Sequence, residues 1–157
     1  MAPGPRLAVL GSREWYSSDS PRICTEVGRA LARRFLQLEL LTNGMDAVQR
    51  AVAEAFLLEA MALGRAGPLG LSVRIIVPGD VPGAVAEPLA RRPAPRTVAG
   101  STHAEARLAL ADAADAGLLI SGGPGSVSAA ERCEHAGRPV LCMPCTGGAA
   151  AGRFWLP

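Results

Sequence analysis

The sequence predicts a single three-layer, Rossmann-like α/β domain over residues 1–157, built on a mainly parallel sheet of about five strands. Two observations carry that expectation. Short apolar runs alternate along the chain with stretches whose apolar residues recur at helical spacing, the pattern of βαβ units and of a sheet covered on both faces. Glycine or proline steps close nearly every run, and neither an internal repeat nor a break in composition marks a second domain.

The elements follow in order. Arg6 to Ser12, "RLAVLGS", is a strand closed by Gly-Ser, and Ser20 to Phe35 is a helix with Ile23, Val27, Ala30, Leu31 and Arg34 at helical spacing. Leu38 to Gly44, "LELLTNG", repeats the scheme, and Asp46 to Leu63 continues it with Val48, Val52, Ala55, Phe56, Glu59 and Leu63 along one stripe. Leu71 to Pro78 gives a third strand. Gly79 to Gly100 contains Pro82, Pro88, Pro93 and Pro95, which deny it a regular ladder or helix, so a long exposed loop that is mobile without ligand is expected there. His103 to Asp115 resumes a helix, capped by Ser101 or Thr102, with Glu105 in the first turn where the helix dipole favours an acid. A fourth strand at Gly117 to Ser121, a helix from about Ser126 to His135 and a fifth strand at Pro139 to Met143 leave room for one short closing helix or turn.

The charge balance, 16 basic against 14 acidic residues, suits an anionic small molecule. It does not call for nucleic acid, because the arginines are spread along the chain and form no basic stripe. The opening "MAPGPRLAVLGSREW" lacks the pattern of a signal peptide, and no apolar stretch reaches the ~18 residues of a membrane span, so a cytoplasmic protein is expected.

In a parallel sheet the loops leaving the carboxyl ends of the strands converge on one rim, where ligands bind. Three glycine-bearing loops leave strands in that way: "GSREW" from Gly11, "TNGMD" from Thr42 and "SGGPGS" from Ser121. Without Cβ atoms, Gly122, Gly123 and Gly125 let backbone N–H groups approach a ligand, and the helix behind them presents its positive end. A phosphate is the simplest occupant. The candidate ligand-binding residues are therefore Gly11, Ser12, Arg13, Asn43, Gly44, Asp46, Gly122, Gly123, Gly125 and Ser126. Arg13 offers paired donors to oxyanions, Trp15 and Tyr16 are placed to stack on a base, and Asp46 suits either ribose hydroxyls or its own helix dipole.

"AVLGSREW", "LLTNGMDAVQRAVAEA" and "ADAGLLISGGPGSVSAAERCEHAGRPVLCMP" together resemble the SLOG superfamily of Rossmann-like nucleotide-binding proteins. That superfamily includes the LOG/lysine decarboxylase-like phosphoribohydrolases, the DprA group and small YspA-like proteins, and the resemblance runs from Leu7 to about Gly148. It implies a domain that binds a nucleotide or a nucleotide-derived ligand, with no separate cofactor or metal, and it is compatible with a homodimer. It also implies an alternative, cleavage of the N-glycosidic bond of a nucleoside 5′-monophosphate.

The LOG enzymes use an arginine on the helix before the fourth strand and a glutamate just after "GGxGT". Arg107 falls one position from the first, whereas Ser128 and Ala129 stand where the glutamate belongs. Glu131, about one turn further on, is the nearest acid, and its plainer reading is a solvated charge beside Arg132 or His135. Arg107 and Glu131 are thus the catalytic candidates, and binding without turnover is the favoured expectation. Single-stranded DNA binding of the DprA kind rests only on "GSR" and on Arg91, Arg92 and Arg96.

"CMPC", Cys142 to Cys145, has the spacing of redox pairs and metal knuckles, and Cys133 with His135 offers two further ligands. Cys142 falls in a strand expected to be buried, however, and free cysteine is a common small core residue, so structural thiols are the expected reading. His103, alone near a helix start, reads as a capping or surface residue.

Overall fold

A computed structural model describes residues 4–44, 46–79 and 94–154. Its strands are β1 (Arg6–Leu10), β2 (Leu38–Thr42), β3 (Leu71–Val77), β4 (Arg96–Val98), β5 (Ala116–Ile120) and β6 (Val140–Met143). Its helices are α1 (Ser20–Arg34), α2 (Ala47–Ala62), α3 (His103–Ala113), α4 (Pro124–His135) and α5 (Gly148–Ala151), with a 3₁₀ turn at Pro144–Thr146.

The six strands form one sheet in the order β4-β3-β2-β1-β5-β6, and all five pairings are parallel. The chain winds outward from β1 through β2 and β3 to β4, then returns to lay β5 on the other side of β1. The strand order therefore reverses between β1 and β5, and a crevice opens there at the carboxyl ends.

Alternation along the strands divides the core. Leu7 and Val9, Leu38 and Leu40, and Leu118 and Ile120 face one layer, where they pack with Cys24 of α1 and with Val48, Val52 and Phe56 of α2. Ala8, Leu10, Leu41 and Leu119 face the other, against Leu110 and Ala111 of α3, Ala129, Ala130 and Cys133 of α4, and Ala149 and Ala150 of α5. Each large side chain so buried contributes roughly 1.5–3 kcal/mol.

The sheet has one strand more than expected, and it corrects part of the long-loop assignment. Arg96–Val98 pairs with Ile75–Val77 at the edge of the sheet. Pro95 stands just before it and still serves the ladder, because its carbonyl accepts from the Ile75 amide at 2.9 Å. An edge strand tolerates a proline at its start, whereas a central strand does not. Residues 80–93 of the expected loop, with Arg91 and Arg92, lie outside the described residues.

One helix boundary and one burial expectation also change. Helix α4 begins at Pro124, two residues earlier than expected, since a proline in the first turn gives up an N–H that has no helical partner anyway. Strand β6 is the opposite edge of the sheet, so Cys142 is only half-buried and Leu141 is 63% exposed. No helix among the described residues is long and apolar enough to cross a membrane.

Candidate functional site

Three helices begin on the rim where the crevice opens, and their starts differ. Asp46 caps α2, its carboxylate accepting from the Gln49 amide at 2.7 Å. Thr102 caps α3 in a reciprocal capping box, with Thr102 Oγ1 accepting from the Glu105 amide and Glu105 accepting from the Thr102 amide. At α4 the cap position is Gly123, and no side chain caps the helix. The positive end of α4 is thus left open toward the crevice.

Hydrogen bonds fix the loops around that open end. Ser126 Oγ donates to the Gly11 carbonyl, and the Gly122 amide donates to Ser12 Oγ, so the loops after β1 and β5 are joined directly. Asn43 Nδ2 donates to the Ile76 carbonyl at 2.7 Å, while its backbone amide donates to the buried Gln49 side chain. The turn after β5 is held from behind: the Ser121 amide donates to Thr146 Oγ1 at 2.7 Å, and Ser121 Oγ donates to the Thr146 carbonyl at 2.8 Å. Ser121 itself adopts a left-handed conformation, φ 55°, that this double tie stabilises.

The result is a cavity of about 250 Å³. The loops after β1 and β2 contribute Gly11, Ser12, Arg13, Asn43 and Asp46 to its wall. The start of α4 contributes Gly123, Pro124, Gly125 and Ser126. Helix α3 adds His103, Ala106 and Arg107, and Pro78 follows β3.

Eight of the ten expected ligand-binding residues therefore meet in one cavity, and Arg107 joins them. Gly44 and Gly122 stand behind it instead. Both have positive φ, 68° and 99°, and form the bends that bring the wall residues round. Glu131 is exposed on α4 and is not among the lining residues. The expected Glu131–Arg132 pair is replaced by a two-point contact of Arg132 with Asp112 of α3, at 2.7 and 3.0 Å. Tyr16 Oη lies beside Gly123 at the rim, and Trp15 is 39% exposed outside the lining. Sequence reasoning missed His103 as a wall residue; its position one residue after the Thr102 cap was the available signal, since it places the imidazole at the same rim.

The glycines of "SGGPGS" differ in what their missing Cβ permits. A Cβ on Gly125 would collide with the Arg107 guanidinium, so that arginine lies directly over the first turn of α4. A Cβ on Gly123 would meet only Tyr16 Oη, at 3.8 Å, and the Gly123 backbone is extended, φ −106°. Neither packing nor conformation requires glycine at position 123.

The electrostatics are mixed. Arg107, Arg13 and the α4 end make the cavity attractive to anions, yet Asp46 faces both arginines. Burial pushes its carboxyl up to about 6, against the Gln49 amide, Arg107 and Arg13, which favour the ionised form. The thiols lie elsewhere. Burial raises Cys24 to about 11 and also lifts Cys133 and Cys142, which keeps all three protonated near neutrality. Among the described residues no group of three His, Cys, Asp or Glu could hold a metal ion.

No protein-family model matches the chain, and no match was found among curated proteins. Solved structures do match. The X-ray structure of TM1055 is similar over 96% of this chain and 80% of its own, with a TM-score of 0.75 at 21% identity. The Moco carrier protein from Chlamydomonas reinhardtii is similar over 96% of this chain and 82% of its own, with a TM-score of 0.66 at 18% identity. At these identities the likeness is one of fold. The molybdenum cofactor binding protein from the phototrophic bacterium Rippkaea orientalis is similar over 87% of this chain and 74% of its own, with a TM-score of 0.58 at 16% identity.

Proposed function

We infer that the cavity binds a nucleotide or nucleotide-derived small molecule, with its phosphate on the amino end of α4. The observation that carries this reading is the uncapped start of α4 at Gly123, clear of packing on the cavity side and faced by Arg107 and Arg13. Backbone N–H groups, the helix dipole and a guanidinium act together there on an anion, and the guanidinium adds paired donors. The wall residues Gly11, Ser12, Asn43 and Ser126 shape the seat, and Tyr16 at the rim is placed to cover a base. The expected protein is a cytoplasmic binder, and a homodimer is compatible with it.

A second ligand class enters because two of the similar structures are a carrier and a binding protein of the molybdenum cofactor. We take that cofactor as a second candidate occupant of the same cavity. Hydrolysis of a nucleoside 5′-monophosphate is the alternative activity, supported by the Arg107 guanidinium of α3 over the first turn of α4 and opposed by the exposed position of Glu131.

A thermal-shift screen tests the reading, because a ligand that binds only the folded state raises its stability by about 2.7 kcal/mol at a hundredfold excess over Kd. The panel comprises nucleoside mono- and diphosphates, cyclic nucleotides, NAD, sugar phosphates, the molybdenum cofactor and the corresponding dephosphorylated compounds. Phosphorylated members are expected to raise Tm and their dephosphorylated counterparts are not. Equal shifts from both, or none from any, would refute phosphate-anchored binding.

A further inference from the structure

Asn43 leaves one hydrogen-bonding atom unanswered in the cavity wall. Its backbone amide donates to Gln49 Oε1 at 2.8 Å, an oxygen that also accepts from Thr42 Oγ1 at 3.0 Å. Its side-chain nitrogen donates to the Ile76 carbonyl at 2.7 Å, and the Ala106 carbonyl, at 3.5 Å, takes the second hydrogen. Those two carbonyls fix which way round the amide lies, because Oδ1 in that place would face oxygen. Oδ1 is therefore turned away from them, and among the described residues no donor reaches it. The residue is only 8% exposed, yet no fully buried side-chain oxygen of the described residues lacks a partner. The small surface that Asn43 keeps thus includes Oδ1, and Asn43 lines the cavity. With every N–H spent, it meets a ligand as an acceptor alone.

Its place across the sheet says what the missing donor belongs to. Ala8 of β1 is level with Leu41 of β2 on one side and with Gly117 of β5 on the other. Neighbouring strands lie ~4.8 Å apart, so the loop that carries Asn43 stands roughly 10 Å along the sheet edge from the loop that leads into α4. The sugar hydroxyls of a nucleoside 5′-phosphate seated on α4 fall short of that span, whereas an amino group on the far edge of its base reaches it. The surroundings agree. Pro78, two residues past Ile76, and Ala106 flank the Asn43 amide in the wall, so the surface about Oδ1 is apolar. Arg107 follows Ala106, but its guanidinium lies over Gly125 on the phosphate side, and Asp46 is engaged at the cap of α2. An apolar surface with one fixed, neutral acceptor suits a flat heterocycle that bears an N–H. An oxo group on the same edge would set oxygen against oxygen, and Asn43 has no donor with which to answer it.

Resting on the phosphate-binding reading above, we propose that Asn43 is the base-reading residue of the cavity, its Oδ1 accepting a hydrogen bond from an exocyclic amino group and so selecting amino-bearing bases over their deaminated, oxo-bearing counterparts. The bonds to Gln49, Ile76 and Ala106 make the selection one-way, because they prevent the amide from turning to offer a donor instead.

Calorimetric titration of the full chain with AMP, IMP, CMP, UMP and inorganic phosphate tests this. Wild type is expected to favour AMP over IMP, or CMP over UMP, by about tenfold, according to the ring size the cavity admits, which is the scale of one acceptor satisfied rather than opposed. In Asn43→Ala, and in the nearly isosteric Asn43→Leu, each checked for folding by circular dichroism, that ratio falls to about one. A purely structural role for Asn43 would weaken all the probes alike and leave the ratio where it was. Ratios near one for both pairs in wild type, or a ratio that survives in a folded variant, overturn the assignment of Asn43 while phosphate binding stands. If neither variant folds, the wild-type ratios decide it. Failure of every probe on wild type overturns the phosphate reading and this inference together.

Discussion

The Arg107 guanidinium lies over the Gly125 backbone, in the space that a Cβ at residue 125 would fill. The absence of that side chain lets a cation of α3 reach the first turn of α4. Gly125→Ala is expected to push the guanidinium aside, raise Kd for ribose 5-phosphate about tenfold and leave Tm unchanged or slightly higher, since alanine suits a helix better than glycine. Calorimetry together with a thermal melt checks both halves.

Gly123 predicts the converse combination. Its extended backbone accepts any residue and its neighbourhood is open, so Gly123→Val folds normally. The new side chain then stands on the ligand's approach to the helix end. Binding of phosphorylated ligands is expected to vanish in a variant whose circular dichroism and melting match wild type, and retained affinity in that folded variant would count against the seat.

Asp46 predicts a pH dependence of stability with a definite sign. Its folded pKa, about 6, lies above the ordinary 3.8, so between those values the native state holds a proton that the unfolded state has lost. Stability from this group is therefore full below pH 3.8 and is lost as pH rises through 6, a change on the order of 3 kcal/mol. Asp46→Asn should be more stable than wild type at pH 7.5 and equal to it near pH 4 in urea denaturation. The difference between the two proteins isolates Asp46. Asp112, Asp115 and Glu105, held below the ordinary range by the Arg132 side chain, the Arg6 amide and the Ser101 amide respectively, titrate alike in both.

Thr146 predicts a loss that only a hydroxyl restores. Thr146→Val leaves the buried Ser121 amide without its acceptor, which costs about 1–3 kcal/mol. Thr146→Ser should recover most of the urea midpoint. Ligand affinity should follow the same order, because the tie fixes the turn that leads into α4.

Glu131 separates binding from turnover. As an exposed charge outside the cavity, its replacement by alanine should change stability and affinity by no more than about 0.5 kcal/mol, and wild type should release no free base from AMP or CMP. Enzyme-dependent base release that vanishes in Glu131→Ala would make the chain a hydrolase.

The alternation of apolar runs and helical stripes made the five longer strands and the four longer helices legible, because a doubly covered parallel sheet repeats one local pattern. Strand β4 was not. Three residues next to a proline carry no period, and an edge strand need not be apolar. The site was legible where loops announce themselves with glycine. Arg107 came only through the resemblance, since an arginine on a polar helix reads as surface until the neighbouring glycine is known to make room for it. A carboxylate was sought on α4, following the family's order, whereas the cavity takes its acid from the α2 cap. Nothing in one-dimensional spacing reveals that Gly11 brings Asp46 and Ser126 together.

The wall of the cavity is assembled from Gly11 to Arg13, Asn43 and Asp46, Pro78, three residues of α3 and Gly123 to Ser126, which belong to five separate crossovers of the sheet. No contiguous fragment of the chain contains the site. A partial opening that detaches either flanking helix, α2 or α3, already dismantles it, so an occupant bound there penalises every such excursion as well as complete unfolding. Amide hydrogens on both layers, including those far from the crevice, should then slow together on saturation, which turns a small molecule at one rim into a cooperative fastener for the entire domain.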